Sequence, residues 1–198
     1  AGAIESIRDI TDKKRTEEEL RYRDAILEVA SFAAERFLKA ASWETDIREI
    51  LARLGTVTGV SRVYLFENRM SAEGVLLTSQ RYEWVAEGID PQIGNPALQD
   101  LAMERHGFGR WVEVMRRGGH IFGPVREFPE SERALLESQA ILSIAVVPVY
   151  LGDRWWGFIG FDDCAGERQW SDVEIEALNV VASTLSAALS RKHAETRL

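Results

Sequence analysis

Apolar positions change their period several times along the chain, and the changes mark the elements. From about residue 12 to 41 there is neither Pro nor Gly, and Leu20, Leu27, Ala30, Ala34, Phe37 and Ala41 recur at the a/d spacing of a heptad, with Arg23 as the one lapse. This pattern predicts one long helix, capped by Thr11 or Asp12, whose short oxygen-bearing side chains accept from the free N–H groups of a first turn. So narrow a stripe asks for a partner helix. The second half suits packing on its own domain, whereas the first half, with few apolar residues, suits pairing between two chains. Residues 3–10, AIESIRDI, alternate imperfectly and read as the end of a strand.

A second helix is expected over Trp43 to Thr58, with Ile47, Ile50, Leu51, Leu54 and Val57 on one face and Gly59 closing it. VSRVYLFE at 60–67 and VLLTSQRYEWVA at 75–86 are rich in β-branched and aromatic residues and read as a hairpin. Between Glu87 and Gln139, LQDLAMER and GRWVEVMRR look helical, GGHIFGPV looks like a short strand, and PESERALLES opens a helix with Pro129 at its first turn. SIAVVPVYL and RWWGFIGFDD are two strands joined at Gly152-Asp153. A last helix starts at the capping box of Ser171 and Glu174 and carries Ile175, Leu178, Ala182, Leu185 and Leu189 at heptad spacing.

Composition narrows the function. The 198 residues carry a formal charge of −8 and 45% hydrophobic residues, enough for one domain with a real core and a poor match for a nucleic-acid grip. The one dense basic cluster, Lys13, Lys14 and Arg15, is followed at once by Glu17, Glu18 and Glu19 and reads as a solvated helix face. A single cysteine, Cys164, excludes a disulfide within the chain and a Cys-based zinc site, and suits a reducing cytoplasm. No apolar run approaches 18 residues, so no membrane contact is expected of this chain. The start, without Met and without a signal peptide, reads as a piece of a longer protein.

The chain resembles the GAF domain family over roughly Ser42 to Leu189. The likeness is carried by TGVSRVYLFEN, the RYEW of the second strand, GFGRW at 107–111, VPVYLGDRWWGFIGFDD at 147–163 and RQWSDVEIEAL at 168–178. GAIESIRDITDKKRTEEEL resembles the last strand of a PAS domain running through its Asp-Ile-Thr junction into a signalling helix. The implied divisions are 1–11 for the PAS tail, 12–41 for the linker helix, 42–190 for the GAF domain and 191–198 for the start of a linker to an output domain. The resemblance implies an α+β fold: a central antiparallel sheet, long N- and C-terminal helices on one face, and a helix and loop insert roofing a small-molecule pocket on the other. It also implies a non-catalytic sensory module of a bacterial histidine kinase or diguanylate cyclase, dimerising through Leu20, Leu27, Ala34 and Phe37 of the first helix and Ile175, Leu178, Leu185 and Leu189 of the last.

In a sheet covered on both faces a central strand is apolar throughout, which accounts for RWWGFIGF. Strict alternation puts Trp156 and Phe158 on one face and Trp155, Ile159 and Phe161 on the other, with Gly157 and Gly160 leaving room for neighbours. Asp162 and Asp163, adjacent on a strand, face opposite ways and cannot converge on one bond; a structural role with Arg168 is expected. Cys164 reads as inert or merely oxidisable, since bilin attachment and sulfoxide reduction in this family use further Cys or His residues that are missing. His106, His120 and His193 form no metal pattern. By family analogy Trp84, Phe108, Trp111, Phe122 and His120 surround the pocket. Either they line a site for a small planar ligand, whose identity is open, or the rings fill the space themselves and the domain is a dimerising spacer. A redox enzyme centred on Cys164 is the third and weakest reading.

Overall fold

The computed structural model describes residues 2–39 and 42–195, with side chains from residue 13 onward. Helix α1 spans Gly2–Lys39 and α2 spans Trp43–Thr58. Strands β1 (Arg62–Met70) and β2 (Leu76–Val85) follow, then a short 3-10 turn (Pro96–Leu98) and the two-residue strand β3 (Leu101–Ala102). After α3 (Gly109–Arg116), β4 (Ile121–Pro124) and α4 (Glu130–Glu137), the chain closes with β5 (Ser143–Leu151), β6 (Arg154–Asp163) and α5 (Asp172–Glu195). The six strands form one antiparallel sheet in the order β3-β2-β1-β6-β5-β4.

The sheet separates two cores. On one face Ile47, Ile50, Leu51 and Leu54 of α2, Val29, Ala33 and Phe37 of α1, and Leu178, Val181 and Leu185 of α5 pack on Val63, Leu65, Val147, Ile159 and Phe161. On the other face α3, α4 and their loops cover Tyr64, Phe66, Ile144, Val146, Trp155 and Phe158. α2 ends where Gly59 takes a left-handed φ of 66° and donates its N–H to the Gly55 carbonyl, a conformation that costs glycine little. α5 begins at the capping box: the Ser171 N–H donates to Glu174 at 2.9 Å and the Glu174 N–H returns to the Ser171 hydroxyl at 3.4 Å.

Four local expectations are corrected. Residues 3–10 continue α1 rather than forming a strand; no pairing strand lies beside them among the described residues, and an isolated strand leaves its backbone groups unpaired. LQDLAMER is not helical. The Asn95 side chain accepts from the Ala97 N–H to set the 3-10 turn, Asp100 adopts a φ of 52°, and Leu101–Ala102 then pair with Leu77 and Thr78. The heptad of α5 is not a seam between chains: Leu178 and Leu185 are wholly buried within their own domain, as are Ile26, Ala33 and Phe37 of α1, whereas Leu20 and Leu27 stay exposed. α5 is long and apolar enough by composition to cross a membrane, and its apolar face is spent on this core.

The last correction concerns β6. Pro148 pairs with Phe158, Val149 with Gly157 and Tyr150 with Trp155, so Trp156 is an extra residue at a β-bulge. The bulge reverses the alternation: Trp155 joins Phe158 on the α3 and α4 side, and Trp156 joins Ile159 and Phe161 on the helix side. There Trp156 meets Trp43 edge to face at 5.7 Å. The adjacent tryptophans thus plug the two cores from one strand.

Gly157, next to the bulge, has no room for a side chain, since a Cβ there would lie 2.0 Å from the Phe66 carbonyl oxygen of β1. Backbone cannot move aside as a side chain can. Gly157→Ala is expected to lower stability by about 2 kcal/mol or more in urea melts, at the upper end of overpacking costs; an unchanged midpoint would show that β1 and β6 do not approach this closely.

Candidate functional site

A second bulge builds the site. Leu65 pairs with Tyr82 and Phe66 with Gln80, so Arg81 is the extra residue of β2. Trp84 and Tyr82 therefore face α2, and Trp84 covers Gly55, where a Cβ would sit 2.0 Å from its ring. Past the bulge the phase reverses, and Gln80 and Thr78 join Glu83 under α3 and α4. Between this floor and the roof lies a cavity of about 50 Å³. Tyr64, Phe66, Gln80, Glu83, Phe158 and Asp162 form its floor, and Leu98, Met103, Phe108, Trp111, Leu136 and Ile141 close it from above.

The walls are aromatic and mutually packed. Phe66 stacks on Phe158 at 4.7 Å and 12°, and Trp111 stands edge-on to Phe158 and to Phe108 at 6.3 and 5.2 Å. Two polar clamps hold the roof down. Glu132, itself buried, accepts two bonds from Arg110 at 2.9 and 2.6 Å and one from the Trp111 indole N–H at 2.9 Å, joining α3 to α4. On the floor, the buried Arg62 donates to the Asp90 carbonyl at 3.0 Å and the Gln139 carbonyl at 3.1 Å, fastening the loops at both ends of the roof.

Arg62 also centres a buried charge cluster, with Asp162 at 3.5 Å and Glu83 at 4.0 Å. Glu83 is committed to the Gln92 and Ile93 N–H groups, and the Tyr64 hydroxyl donates to Asp162 at 2.8 Å. Burial pushes the Asp162 carboxyl up to about 7 against the pull of Tyr64 and Arg62, and the charge of Glu83 adds to the rise. Protonated, Asp162 adds no negative charge to the cluster. The side-chain amide oxygen of Gln80, Oε1, is buried on the same floor with no protein partner. The cavity therefore offers a wide apolar wall and one polar end rich in acceptors, an arrangement suited to a small planar molecule carrying a hydrogen-bond donor.

Not all of the residues picked from sequence meet here. Phe108 and Trp111 line the cavity; Trp84 lies on the opposite face of the sheet, turned there by the bulge at Arg81. Phe122 is 55% exposed on the edge strand β4, where Ile121 takes the inward position. His120, half-buried ahead of β4, is not among the lining residues, and the His106 ring nitrogen is engaged with the Ala102 carbonyl at 2.9 Å. Tyr64, Gln80, Glu83 and Asp162 were not foreseen as lining residues. For Gln80 and Glu83 the sequence signal is the concentration of polar groups in SQRYE, which is unusual for a strand buried on one face; Tyr64 and Asp162 carry none. Cys164 is half-buried and its thiol is pushed up by burial, so it stays protonated and weakly nucleophilic. Among the described residues no cluster of three metal-binding side chains occurs.

Asp163 turns to the other side of the sheet. Arg168 lies 3.6 Å from it, donates to the Thr58 carbonyl at 2.8 Å and the Tyr22 hydroxyl at 3.0 Å, and pairs with Glu174. Tyr22 in turn donates to Glu174 at 2.8 Å, and burial together with that carboxylate holds its hydroxyl well above the usual range. One guanidinium so joins β6, the end of α2, the incoming helix α1 and the capping box of α5.

The titration of Asp162 carries a stability signature. Unfolded, it titrates near 3.8; folded, near 7. Between those values the native state binds more protons, so this contribution falls as pH rises through the window and is flat above it. Asp162→Asn keeps the acceptor for Tyr64 and cannot ionise. Its stability relative to wild type is expected to climb by about 1 kcal/mol or more from about pH 5 to about pH 8 in urea melts; a pH-independent difference would contradict a raised Asp162.

Residues 42–189 match the GAF domain. The methanogenesis regulatory histidine kinase FilI of Methanothrix harundinacea (strain 6Ac) is 41% identical over 191 residues, 96% of this chain and 21% of that protein, so the chain spans about a fifth of its relative's length. Among solved structures, the phycoerythrobilin-bound GAF domain of a cyanobacterial phytochrome superposes with a TM-score of 0.69 at 17% identity, over 86% of this chain and 97% of that one. A far-red absorbing domain with bound biliverdin IXa gives 0.68 at 17% identity, over 83% and 99%. The blue-light absorbing form of the Thermosynechococcus elongatus PixJ GAF domain gives 0.61 at 24% identity, over 76% and 86%. The sheet order, the two-sided cover and the sequence match agree: this chain belongs to the GAF domain family.

Proposed function

We propose that the chain is the sensory module of a multidomain regulatory histidine kinase, that a small planar molecule with a hydrogen-bond donor occupies the cavity under α3 and α4, and that α1 and α5 carry the signal. The observation that carries this reading is the side-chain amide oxygen of Gln80, Oε1, buried and unpartnered at the polar end of an aromatic cavity. A buried polar group without a partner is costly, and one facing a cavity has a use for a ligand. The 41% identity to a regulatory histidine kinase supports the context; in this reading an output domain follows α5 and the module lies in the cytoplasm. Upstream, the Asp9-Ile10-Thr11 junction supports a PAS domain.

The bilins held by the structural neighbours do not suit this chain. A cavity of about 50 Å³ is far below the ~300–1,000 Å³ of sites for larger ligands, and the single cysteine is a protonated thiol. That same small volume favours a second reading, in which the rings fill the site and the domain is a dimerising spacer. Mass spectrometry of small molecules released from freshly purified protein separates the two. A stoichiometric metabolite, lost in Gln80→Leu, is expected; an empty protein whose melting temperature is moved by no compound in a metabolite screen would leave the spacer.

The dimer belongs to the same proposal, now restricted to α1. Leu20, Leu27 and Leu38 are exposed and, with the half-buried Ala34, fall on one heptad edge, an apolar line suited to the same line of a second copy. Leu27→Asp alone is expected to shift the protein from dimer to monomer in sedimentation without changing its circular dichroism; an unchanged sedimentation coefficient would remove this interface.

A further inference from the structure

The cavity under α3 and α4 bears carboxyl groups and no base. Among the described residues that line it are Glu83 and Asp162, and no Arg, Lys or His. The rings of Tyr64, Phe66, Phe108, Trp111 and Phe158 stand around the same space, stacked or edge to face at 4.7 to 6.3 Å. Aromatic faces are negative and attract a cation, and a planar cation also stacks on them. Volume sets the size: about 50 Å³ is room for roughly three or four water-sized groups. We propose that the ligand is a small planar nitrogen cation of the amidinium or guanidinium type. This rests on the reading of the cavity as a ligand site and names what that site takes.

Charge balance decides the sign. Arg62 sits behind the floor, 4.0 Å from Glu83 and 3.5 Å from Asp162, with its Nε and Nη2 donating to the Asp90 and Gln139 carbonyls. Arg62 and Glu83 cancel, so the cluster by itself is neutral only with a proton on Asp162. The groups facing that carboxyl are Arg62 and Tyr64 of β1, Glu83 of β2 and the Cys164 thiol, while β5 presents Ile144. An anion in this space would add a buried charge with nothing to compensate it. A neutral ligand leaves the proton in place. A cation takes the proton's part: Asp162 releases H⁺ to solvent, its carboxylate stays, and positive and negative charges remain equal in number. Cation and proton thus compete for one carboxylate. Glu83 accepts from the Gln92 and Ile93 N–H groups and still has lone pairs to spare, and Gln80 Oε1 is a further acceptor for an N–H.

The test uses three probes of one size and planar shape that differ in charge: acetamidinium, acetamide and acetate. Each is titrated into the purified chain at constant ionic strength and followed at the tryptophan indoles by two-dimensional NMR. At about pH 8 acetamidinium is expected to give a saturable shift at Trp111, which lines the cavity, and none at Trp84 on the opposite face of the sheet. Acetamide is expected to bind about tenfold more weakly, having no charge-assisted hydrogen bond, and acetate not to saturate. Because the cation displaces the proton of a group that titrates at about 7, its affinity rises about tenfold from about pH 6 to about pH 8 and levels off above, while that of acetamide does not change. Asp162→Asn removes this rise and brings acetamidinium down to the level of acetamide, whereas Gln80→Leu weakens the two alike. Acetamide binding as tightly as acetamidinium, or acetate saturating at the lower concentration, would overturn the cation and leave the cavity a ligand site. An acetamidinium affinity indifferent to pH would overturn its exchange for the Asp162 proton. No shift with any of the three would remove the ligand site and this inference together.

Discussion

Two acids side by side at the end of a strand must send their charges to opposite faces of the sheet, and most of this structure's polar architecture answers to that constraint. Asp162 turns under the roof and Asp163 turns under the helices. Each meets an arginine that reaches further than the strand itself could. Arg62 ties its acid to the loops at both ends of the α3–α4 roof, and Arg168 ties its own to α1, α2 and α5. Removing an ion from water is expensive, and neither cluster is obviously more stabilising than a packed apolar equivalent would be. What they provide is position. A Leu at 62 could fill the volume and could not hold two backbone carbonyls at once.

This arrangement gives the proposed sensing a physical route. A ligand shifts an equilibrium only by its difference in affinity between two states, so the pocket must touch something that has two states. The roof qualifies better than the floor. Its helices α3 and α4 are each 8 residues long and are held by the Glu132 clamp and by Arg62, whereas the floor is a six-stranded sheet packed on both faces. The cavity, about 50 Å³ with the roof as it stands, enlarges by moving the roof and not the sheet. Such a movement strains the Arg62 contacts first, and Arg62 meets Asp162 one residue from the acid that holds Arg168.

The strands, the helices and the two-sided cover were legible in the sequence because period and composition are properties of several residues at once. RWWGFIGF reads as a strand buried on both faces whatever its phase, and Ser171 with Glu174 marks a helix start by itself. Phase was not legible. Arg81 and Trp156 are ordinary residues for a strand, and nothing local marks either as a bulge; each extra residue swaps the faces of everything beyond it. That single uncertainty moved Trp84 out of the candidate site and hid Gln80. The α5 heptad misled for a different reason. An a/d stripe states that a helix has a narrow apolar partner and does not say whether the partner lies in the same chain. For α5 it is the sheet and α1, so Leu185 is a core residue; for Leu20 and Leu27 of α1 no such partner lies among the described residues.

The two bulges also explain why one side of this sheet can carry chemistry while the other only packs. On the helix side the swap delivers Trp156, Tyr82 and Trp84 to Trp43 and Gly55, where large rings complete a dry core. On the roof side the same two insertions bring Gln80 and Thr78 beside Phe66 and set Trp155 against Phe158, so an amide stands opposite Phe66 where the unbulged register would present Arg81. With Gln80 held opposite Phe66, an unbulged β2 would turn Tyr82 and Trp84 under the roof beside it. The cavity would then be filled with rings, and α2 would lose its cover. The polar end of the site and the packing of the helices are therefore set by the same two insertions, and neither could be altered in this fold without the other.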